Sequence, residues 1–324
     1  MPRRSVQQLT DGETLDEIYL VGDKQVRTNK NGNPYLQVDL RDATGVINAK
    51  LWNVTDAIVR GVEPGDFARA RGKVQLFNGA LQVILSHIDR VEPSSVHLSD
   101  FVPHTEQEIA ALQQRLRDRL RAIADPHVRA LAECFLMDDE FMAGFSRCPA
   151  GVRHHHAYVG GLLEHVVTLL DLAARVAPTY PDVNADLLTI GVFLHDCGKI
   201  RELSYRQSFA YTNEGQLLGH LVLGVEMVNE KLRDVAALTG EPFPPELLLR
   251  IKHMILSHHG ELEFGSPVVP MTPEATLLSH LDNLDAKMHV TLREIREDRN
   301  PTSPWTTYNQ SLGRRYFKGT NGDG

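Results

Sequence analysis

The sequence contains few cysteines, and their spacing predicts neither a disulfide framework nor a metal site built from thiolates. Only three of the 324 residues are cysteines, Cys134, Cys148 and Cys197. They form no Cys-x-x-Cys pair, which argues against a structural zinc site. Isolated thiols of this kind are typical of proteins in a reducing compartment. We therefore expect a cytoplasmic protein.

Long apolar runs and an excess of basic charge are also missing. No run of about 18 apolar residues is present, and residues 1–10 lack the apolar stretch of a signal peptide. We therefore expect no membrane span. The net charge is −8 and the sequence pI is about 6.0, which argues against a broadly basic surface for non-specific nucleic-acid binding. Contact with a nucleic acid must then be local or be helped by bound metal cations.

Residues 11–92 have the pattern of short β-strands separated by turns. Asn31-Gly32-Asn33-Pro34 is a turn sequence, and the alternation that follows it in 35–40 has a period of two. The predicted strands are Leu15–Val21, Tyr35–Arg41, Gly45–Trp52, Phe67–Leu76 and Leu81–Val91. Five strands in about 80 residues favour a small barrel of the OB type, with a short helix within Val54–Val62. A barrel that serves protein contacts is the alternative.

Six side chains of this barrel are candidates for binding a nucleic-acid strand. Aromatic rings stack on bases of any sequence, and basic side chains follow the phosphates. The stacking candidates are Tyr35, Trp52 and Phe77, and the phosphate candidates are Lys24, Arg27 and Lys30. For Trp52, packing in the barrel core is an equally good interpretation.

After residue 92 the apolar residues recur at spacings of three and four, which predicts helices. We interpret 93–150 as a helical connector, 151–300 as an all-α domain and 301–324 as a polar C-terminal tail. The chain is thus expected to be multidomain, with an all-β barrel followed by an all-α domain. The predicted helices are Glu106–Ala124, Val128–Met137, Leu162–Val176, Ala185–His195, Leu217–Leu238, Pro244–His258 and Pro273–Glu297.

Histidines and aspartates on these helices form the pattern that indicates chemistry. His165 lies between apolar residues near the middle of a helix, and His195-Asp196 end the apolar segment 190–194. An ionised aspartate beside such a segment is costly to bury unless a cation or hydrogen bonds compensate. Imidazole and carboxylate together suit divalent ions such as Mn²⁺, Fe²⁺, Co²⁺ or Zn²⁺. Two such ions can activate a water molecule and neutralise phosphate oxygens during displacement.

The order of these residues resembles the HD phosphohydrolase superfamily. His165, then His195-Asp196, then Asp282 follow its H…HD…D pattern on separate predicted helices. The sequence from His195 to Lys199 is similar to the HDxGK form of the central motif. His220 and His258-His259 resemble the additional ligands of the two-metal members.

Further segments resemble the YhaM family of bacterial 3′-to-5′ exoribonucleases, over about residues 12–318. They are His155-His156, Gly161–Val167, Leu217–His220, Leu256–Gly260, Gly265–Pro267 and Asp282–Lys287, with Asp42–Gly45 and Ala49–Trp52 in the barrel. The resemblance implies an OB domain followed by an HD domain that hydrolyses single-stranded RNA, and often single-stranded DNA, from the 3′ end. It also implies a divalent metal, with Mn²⁺ the first choice and Co²⁺, Fe²⁺, Zn²⁺ or Mg²⁺ as alternatives.

Within this framework we expect Asp196 to bridge two metal ions. The other ligand candidates are His165, His195 and Asp282 for one ion, and His220 with His258 or His259 for the other. The choice between the last two is open, because neighbours on a helix point about 100° apart.

Three more residues are candidates for catalysis. Lys199 lies one turn beyond His195 and could steady the scissile phosphate as a point charge. His155 and His156 precede the helix of His165 and could contact the substrate or protonate the leaving oxygen. A surface position is an alternative for each of them.

Two other functions are compatible with the sequence. The chain could be an HD hydrolase of a small phosphorylated nucleotide, such as a cyclic dinucleotide or a nucleoside triphosphate, although such a substrate needs no strand-binding barrel. It could also be a non-catalytic protein that binds single-stranded nucleic acid on a degenerate HD scaffold, although the full set of ligands argues against this. A homo-oligomer is compatible with each, since a path for a strand can be built between subunits.

Overall fold

The computed structural model of the chain consists of two compact units, one reaching to His104 and the other beginning at Thr105. The first is a β-barrel and the second is helical, which confirms the predicted fold class. The residues that the structure describes are 3–29, 32–77, 79–97, 100–101, 104–105, 107–151, 156, 158–204, 210–298, 303–310 and 312–319.

The barrel has five strands in the closed order β1-β2-β3-β5-β4. Only β3 and β5 are parallel neighbours, while β1 closes the barrel by pairing antiparallel with both β2 and β4. A register shift between Val21 and Lys24 lets the two halves of β1 serve these two partners, so β1 is longer than predicted. The strands are β1 (Thr14–Thr28), β2 (Pro34–Asp42), β3 (Gly45–Trp52), β4 (Phe67–Phe77) and β5 (Ala80–Val91), with α1 (Asp56–Gly61) between β3 and β4.

The barrel core follows from the alternation of apolar residues. On β2, Leu36, Val38 and Leu40 are fully buried, while the residues between them are partly exposed. Close strand packing requires Gly72 on β4, because a Cβ there would lie 2.3 Å from the backbone oxygen of Ile84.

The second unit contains helices and one short two-stranded sheet. The helices are α2 (Ile109–Arg121), α3 (Pro126–Leu136), α4 (Asp139–Arg147), α5 (Gly161–Val176), α6 (Ala185–Leu194), α7 (Lys199–Glu202), α8 (Asn213–Thr239), α9 (Pro245–Ser257) and α10 (Pro273–Glu297). The sheet pairs β6 (Leu203–Ser204) with β7 (Ala210–Tyr211). Among the described helices, none combines the length and apolar character needed to cross a membrane.

Helices α2 to α4 fall in the range predicted as a connector, yet they belong to the core of the second unit. Leu112, Leu116 and Leu120 repeat every four residues on α2 and are fully buried. α4 was not predicted from the sequence. It begins after Asp138, whose carboxylate accepts the Phe141 N–H at 2.9 Å and so caps the helix.

The centre of this unit is α6, which is apolar on all sides. From Ile190 to Leu194 every residue is buried, as expected for a helix surrounded by other elements. His195 and Asp196 follow its last residue, so the packing of α6 carries both side chains into the interior. α8 is bent at Gly219, whose φ of 73° and ψ of 158° interrupt the helix directly before His220.

Residues 303–310 and 312–319 of the predicted tail fold back on one another. The Thr306 N–H donates to the Tyr316 carbonyl at 2.8 Å, and the Asn309 N–H donates to the Arg314 carbonyl at 2.9 Å. These bonds form an irregular hairpin, which we call the C-terminal hairpin.

Candidate metal centre

Histidine and aspartate side chains from separate elements meet inside the helical unit. α5 supplies His165 and α10 supplies Asp282, whose Oδ1 lies 3.2 Å from His165 Nε2. The segment after α6 supplies His195, with Nε2 3.3 Å from Asp196 Oδ2. The Nε2 atoms of the two histidines are 3.4 Å apart. Atoms that share one ion at about 2.1 Å from each lie roughly 3 to 4 Å apart, which is the spacing seen here.

The other carboxylate oxygen of Asp196 faces a second group. The Nε2 atoms of His220 and His258 each lie 3.5 Å from Asp196 Oδ1. His259 also belongs to this group, since its ligand atom and those of His220 and His258 lie within 4.8 Å of one another. The two consecutive histidines directly follow α9, which ends at Ser257, and each has a ring nitrogen close to the same His220 ring. Both can therefore point toward one ion.

Two buried atoms in this cluster have no hydrogen-bond partner among the described residues. They are Asp196 Oδ1 and His220 Nε2. Leaving such a group unpaired costs about 1–3 kcal/mol, and more when it is charged. A divalent cation between these two atoms would satisfy both, so the residues present fit a metal ion.

The histidine side chains are oriented by a shared pattern of hydrogen bonds at Nδ1. The acceptors are Asp285 Oδ2 for His165 (2.7 Å), the Val192 carbonyl for His195 (2.8 Å), Glu202 Oε1 for His220 (2.9 Å), the Ile255 carbonyl for His258 (2.8 Å) and the Phe264 carbonyl for His259 (3.0 Å). Carbonyl and carboxylate oxygens only accept, so each Nδ1 must carry the proton. In the neutral ring the Nε2 lone pair is then available as a metal ligand.

The aspartates of the centre are ionised. Burial raises the pKa of Asp196, but the Lys199 ammonium and the His195 ring outweigh it and hold the pKa well below its usual range. The pKa of Asp282 is likewise depressed, because the hydrogen bond from His165 outweighs burial. Both carboxylates thus carry the negative charge that a divalent ion would neutralise.

The pKa values of two histidines of the centre are shifted in opposite directions. Burial lowers the pKa of His258 to about 3, so that its ring is neutral at pH 7. Burial also lowers the pKa of His165, but Asp282 and Asp285 outweigh it and raise the pKa to about 9. A metal ion at His165 Nε2 would replace that proton.

Lys199 lies against the bridging aspartate. Its Nζ donates to Asp196 Oδ2 at 2.6 Å, and the side chain is buried. Burial lowers the pKa of Lys199, but Asp196 outweighs it and the pKa is raised, so the side chain is charged. The predicted contact with a phosphate stays a prediction, and the observed contact is with the carboxylate.

His156 is deeper in the protein than the sequence suggested. It is 3% exposed, with Nδ1 2.7 Å from the Tyr158 hydroxyl and Nε2 3.0 Å from Asp285 Oδ2. The same carboxylate oxygen accepts from His165. Asp285 therefore connects His156 to His165 of the centre. The burial of His156 and this indirect connection argue against direct contact with a substrate. His155 lies outside the described residues.

Sequence reasoning missed Glu202 altogether. Its Oε1 accepts both the backbone N–H and the Nδ1–H of His220, at 3.0 and 2.9 Å. The HDCGK motif ends three residues earlier, and no motif or periodicity links Glu202 to position 220. The contact depends on the bend at Gly219, which no sequence pattern indicated.

Both units match known protein families. An HD domain model matches residues 162–287, and an OB-fold nucleic acid binding domain model matches residues 23–91. A relative from Oceanobacillus iheyensis and one from Bacillus subtilis strain 168 are each described as 3′-5′ exoribonuclease YhaM. Each is 34% identical to this chain, with 89% of both chains covered for the first and 88% of both for the second. The chain belongs to the YhaM family.

The HD match of this YhaM-family chain spans the whole candidate metal centre, from His165 to Asp285. The OB match spans four of the five barrel strands completely and the second half of β1. The C-terminal hairpin lies beyond both matched ranges. The two family descriptions thus cover most of the barrel and the part of the helical unit that holds the histidine and aspartate cluster, while α2 to α4 also lie outside both ranges.

The aromatic candidates lie on the outside of the barrel. Tyr35 and Trp52 are cross-strand partners on β2 and β3, with ring centroids 4.7 Å apart. Trp52 is 41% exposed, so it does not pack in the core. Phe77 is 53% exposed, and the Lys50 ammonium lies 5.5 Å from its ring centroid.

The basic candidates differ in whether their donors are available for a phosphate. Lys24 Nζ donates to the carbonyls of Val59 and Val62 and pairs with Glu63 at 2.7 Å. An ammonium has three donors, so these acceptors already account for all of them, and this speaks against a phosphate contact. Arg27 is exposed and donates to Gln25 Oε1 at 3.0 Å. Lys30 lies outside the described residues.

Proposed function

We propose that this chain is a metal-dependent exoribonuclease that shortens single-stranded RNA from its 3′ end, with single-stranded DNA as a second substrate. The metal-dependent step rests on one observation: the ionised Asp196 carboxylate lies close to the Nε2 atoms of three histidines, which are His195, His220 and His258. Within that cluster, Asp196 Oδ1 and His220 Nε2 are buried and have no hydrogen-bond partner among the described residues. The description of the YhaM relatives as 3′-5′ exoribonucleases supports the reaction and its direction.

Two ions would be held by two groups that share Asp196. The first group is His165, His195 and Asp282, and the second is His220, His258 and His259. When bound, such ions supply the charge that neutralises phosphate oxygens and activates a water molecule. Mn²⁺ is the ion we expect, since imidazole and carboxylate ligands suit it.

The protein's own residues prepare the centre for this chemistry. Lys199 keeps Asp196 ionised and donates to its Oδ2, while Oδ1 faces His220 and His258. The Nδ1 hydrogen bonds hold each ring in one tautomer, which avoids reorientation when an ion binds. The barrel would hold the strand on the exposed rings of Trp52 and Phe77 and on the partly exposed ring of Tyr35, since stacking requires no particular base.

The test is a degradation assay with a matched control. The purified protein and its Asp196→Ala variant are incubated with Mn²⁺ and a 5′-labelled single-stranded RNA. Asp182→Ala is the control, because Asp182 is an exposed aspartate of the same unit. We expect a ladder that shortens from the 3′ end with the wild type and the control, and intact RNA with Asp196→Ala.

The same assay decides between this proposal and its alternatives. Intact RNA with all three proteins, under several divalent ions, would contradict it. Hydrolysis of a cyclic dinucleotide or a nucleoside triphosphate under those conditions would identify an HD hydrolase of small nucleotides. Purified wild type that retains no divalent metal and degrades nothing would identify a non-catalytic binding protein.

A further inference from the structure

The C-terminal hairpin, residues 303–319, is unusual in composition. Four of its 17 residues are aromatic and three are basic, and it contains no aspartate or glutamate, in a chain with a net charge of −8. It lies outside both matched family ranges. The aromatic residues are Trp305, Tyr308, Tyr316 and Phe317, and the basic residues are Arg314, Arg315 and Lys318.

The hairpin is attached to α10, the helix that supplies Asp282. Asp298, directly after α10, accepts the Thr307 N–H at 3.0 Å and the Lys318 ammonium at 2.6 Å. Glu294 accepts from the Asn309 side chain at 2.9 Å. These bonds join both arms of the hairpin to one rigid helix, so its surface is preorganised.

Three side chains form a stack on the hairpin surface. The rings of Trp305 and Phe317 have centroids 5.1 Å apart, and the Arg315 guanidinium lies 5.2 Å from the Trp305 centroid. Trp305 is 40% exposed and Phe317 is 52% exposed. Exposed rings of this size that are grouped together are typical of binding surfaces.

Two basic side chains of the hairpin are also exposed, and one of them, Arg315, belongs to this stack. Arg314 and Arg315 are exposed, and neither has a carboxylate partner within the part of the chain that the structure describes. Lys318 differs, because it pairs with Asp298. Two arginines without counter-charges beside exposed planar rings match single-stranded nucleic acid, which offers phosphates and unstacked bases together.

We propose that the C-terminal hairpin is a second binding surface for single-stranded RNA. Bases stack on Trp305 and Phe317, and Arg314 and Arg315 bind the phosphates. The choice of RNA as the ligand rests on the proposed function, but binding itself needs no hydrolysis. Residues 282 and 294 are twelve positions apart on α10, roughly 18 Å along the axis. A strand reaching both the metal centre and the hairpin must therefore span on the order of five stacked nucleotides.

The test measures binding of fluorescent RNA by anisotropy, with the full-length protein in a chelator so that no RNA is cut. We expect Trp305→Ala to weaken binding of a 12-nucleotide RNA roughly tenfold, since one stacked base is lost. Arg315→Gln is expected to weaken binding and to reduce the slope of log affinity against log salt by about 0.7.

Matched controls separate the hairpin from general surface effects. Tyr180→Ala removes an exposed aromatic side chain elsewhere in the helical unit, and Arg233→Gln removes an exposed charge from α8. Neither is expected to change RNA affinity. Trp305→Phe retains a stacking ring and should restore most of the affinity lost in Trp305→Ala, which a hairpin that merely unfolds would not explain.

The outcomes distinguish this proposal from the proposed function. Unchanged 12-nucleotide affinity in both Trp305→Ala and Arg315→Gln would overturn the proposal and leave a protein partner as the alternative for this surface. Equal loss in Trp305→Phe and Trp305→Ala would overturn the stacking role. If the wild type cuts no RNA but the hairpin variants still bind more weakly, the binding surface stands and the exoribonuclease proposal fails.

Discussion

Glu202 holds His220 by two hydrogen bonds to a single carboxylate oxygen, one from the backbone N–H at 3.0 Å and one from Nδ1 at 2.9 Å. The bend at Gly219 makes this possible, because it places a free backbone N–H beside the ring of the next residue. Burial raises the pKa of Glu202, but the hydrogen bond from His220 outweighs it, and the pKa is lowered. The ring is thus fixed with Nε2 toward Asp196.

Replacing Glu202 should weaken metal binding more than it weakens the fold. In Glu202→Ala the His220 ring loses the acceptor that sets its tautomer and orientation. Partners of this kind are worth about 10- to 100-fold in metal affinity, so we expect a loss of that size for Mn²⁺ by calorimetric titration. Glu226→Ala, at a half-exposed glutamate of α8, is the control. Wild-type Mn²⁺ affinity in Glu202→Ala would show that the carboxylate does not position the ligand.

His156 should act through Asp285 rather than on the substrate. The two share a 3.0 Å contact, and Asp285 in turn accepts from His165 at 2.7 Å. Removing the ring in His156→Ala leaves one side of the carboxylate without a partner and lets it move. We expect kcat for RNA cleavage to fall roughly tenfold or more, with KM nearly unchanged, in steady-state kinetics.

The division between kcat and KM decides between two roles for His156. A residue that contacts the strand would raise KM, as the sequence-based hypothesis for His155 and His156 implies. His156→Asn, which retains a polar side chain near Asp285, should recover part of the lost kcat. A large rise in KM with kcat unchanged would restore the direct substrate role.

The burial of a residue of the centre could be predicted from the sequence where the neighbouring residues alone determine it. His195 and Asp196 directly follow the apolar segment 190–194, so their burial could be predicted from that segment alone. His165 followed from the apolar residues on both sides of it. In the barrel, the period of two in β3 buries Ile47, Ala49 and Leu51. The same alternation directs Trp52 outward, a signal that would have excluded the core interpretation.

The rest depends on backbone geometry that no periodicity encodes. The burial of His156 requires a φ of 48°, an uncommon conformation for any residue except glycine. The Glu202 contact requires the bend before His220. The fold of the C-terminal hairpin depends on Asp298 and Glu294, carboxylates at the end of a long helix that otherwise resemble ordinary surface charges.

Glu274 should make stability depend on pH in the acidic range. Its carboxylate, 1% exposed, accepts from the Asn184 N–H at 2.8 Å and the Arg250 guanidinium at 2.7 Å. Burial raises its pKa, but these bonds outweigh it, so the folded-state pKa lies below the ordinary value of 4.5. The stability it contributes is therefore present above about pH 4.5 and is lost as the pH falls through the lower folded-state value.

Thermal unfolding of wild type and Glu274→Gln across this range tests the sign. Hydrogen bonds to charged groups contribute about 1.5–3 kcal/mol, so the variant should melt several degrees lower at pH 7. The difference should shrink below about pH 4.5, where the Glu274 carboxylate of the unfolded wild type begins to protonate while that of the folded protein is still ionised. A constant difference from pH 7 to pH 3.5 would contradict the linkage.

Trp52 is the residue to replace for a test of the barrel surface, because its ring is exposed and lies against Tyr35 across the strands. Trp52→Ala should weaken binding of single-stranded RNA roughly tenfold, the value of one stacked base, while the melting temperature changes little. Val46→Ala is the control, since Val46 is an exposed apolar residue of the same strand. If Trp52→Ala lowers the melting temperature by many degrees and leaves RNA affinity intact, the ring supports the barrel and the strand binds elsewhere. Weakened binding at an unchanged melting temperature would place the bases on this pair.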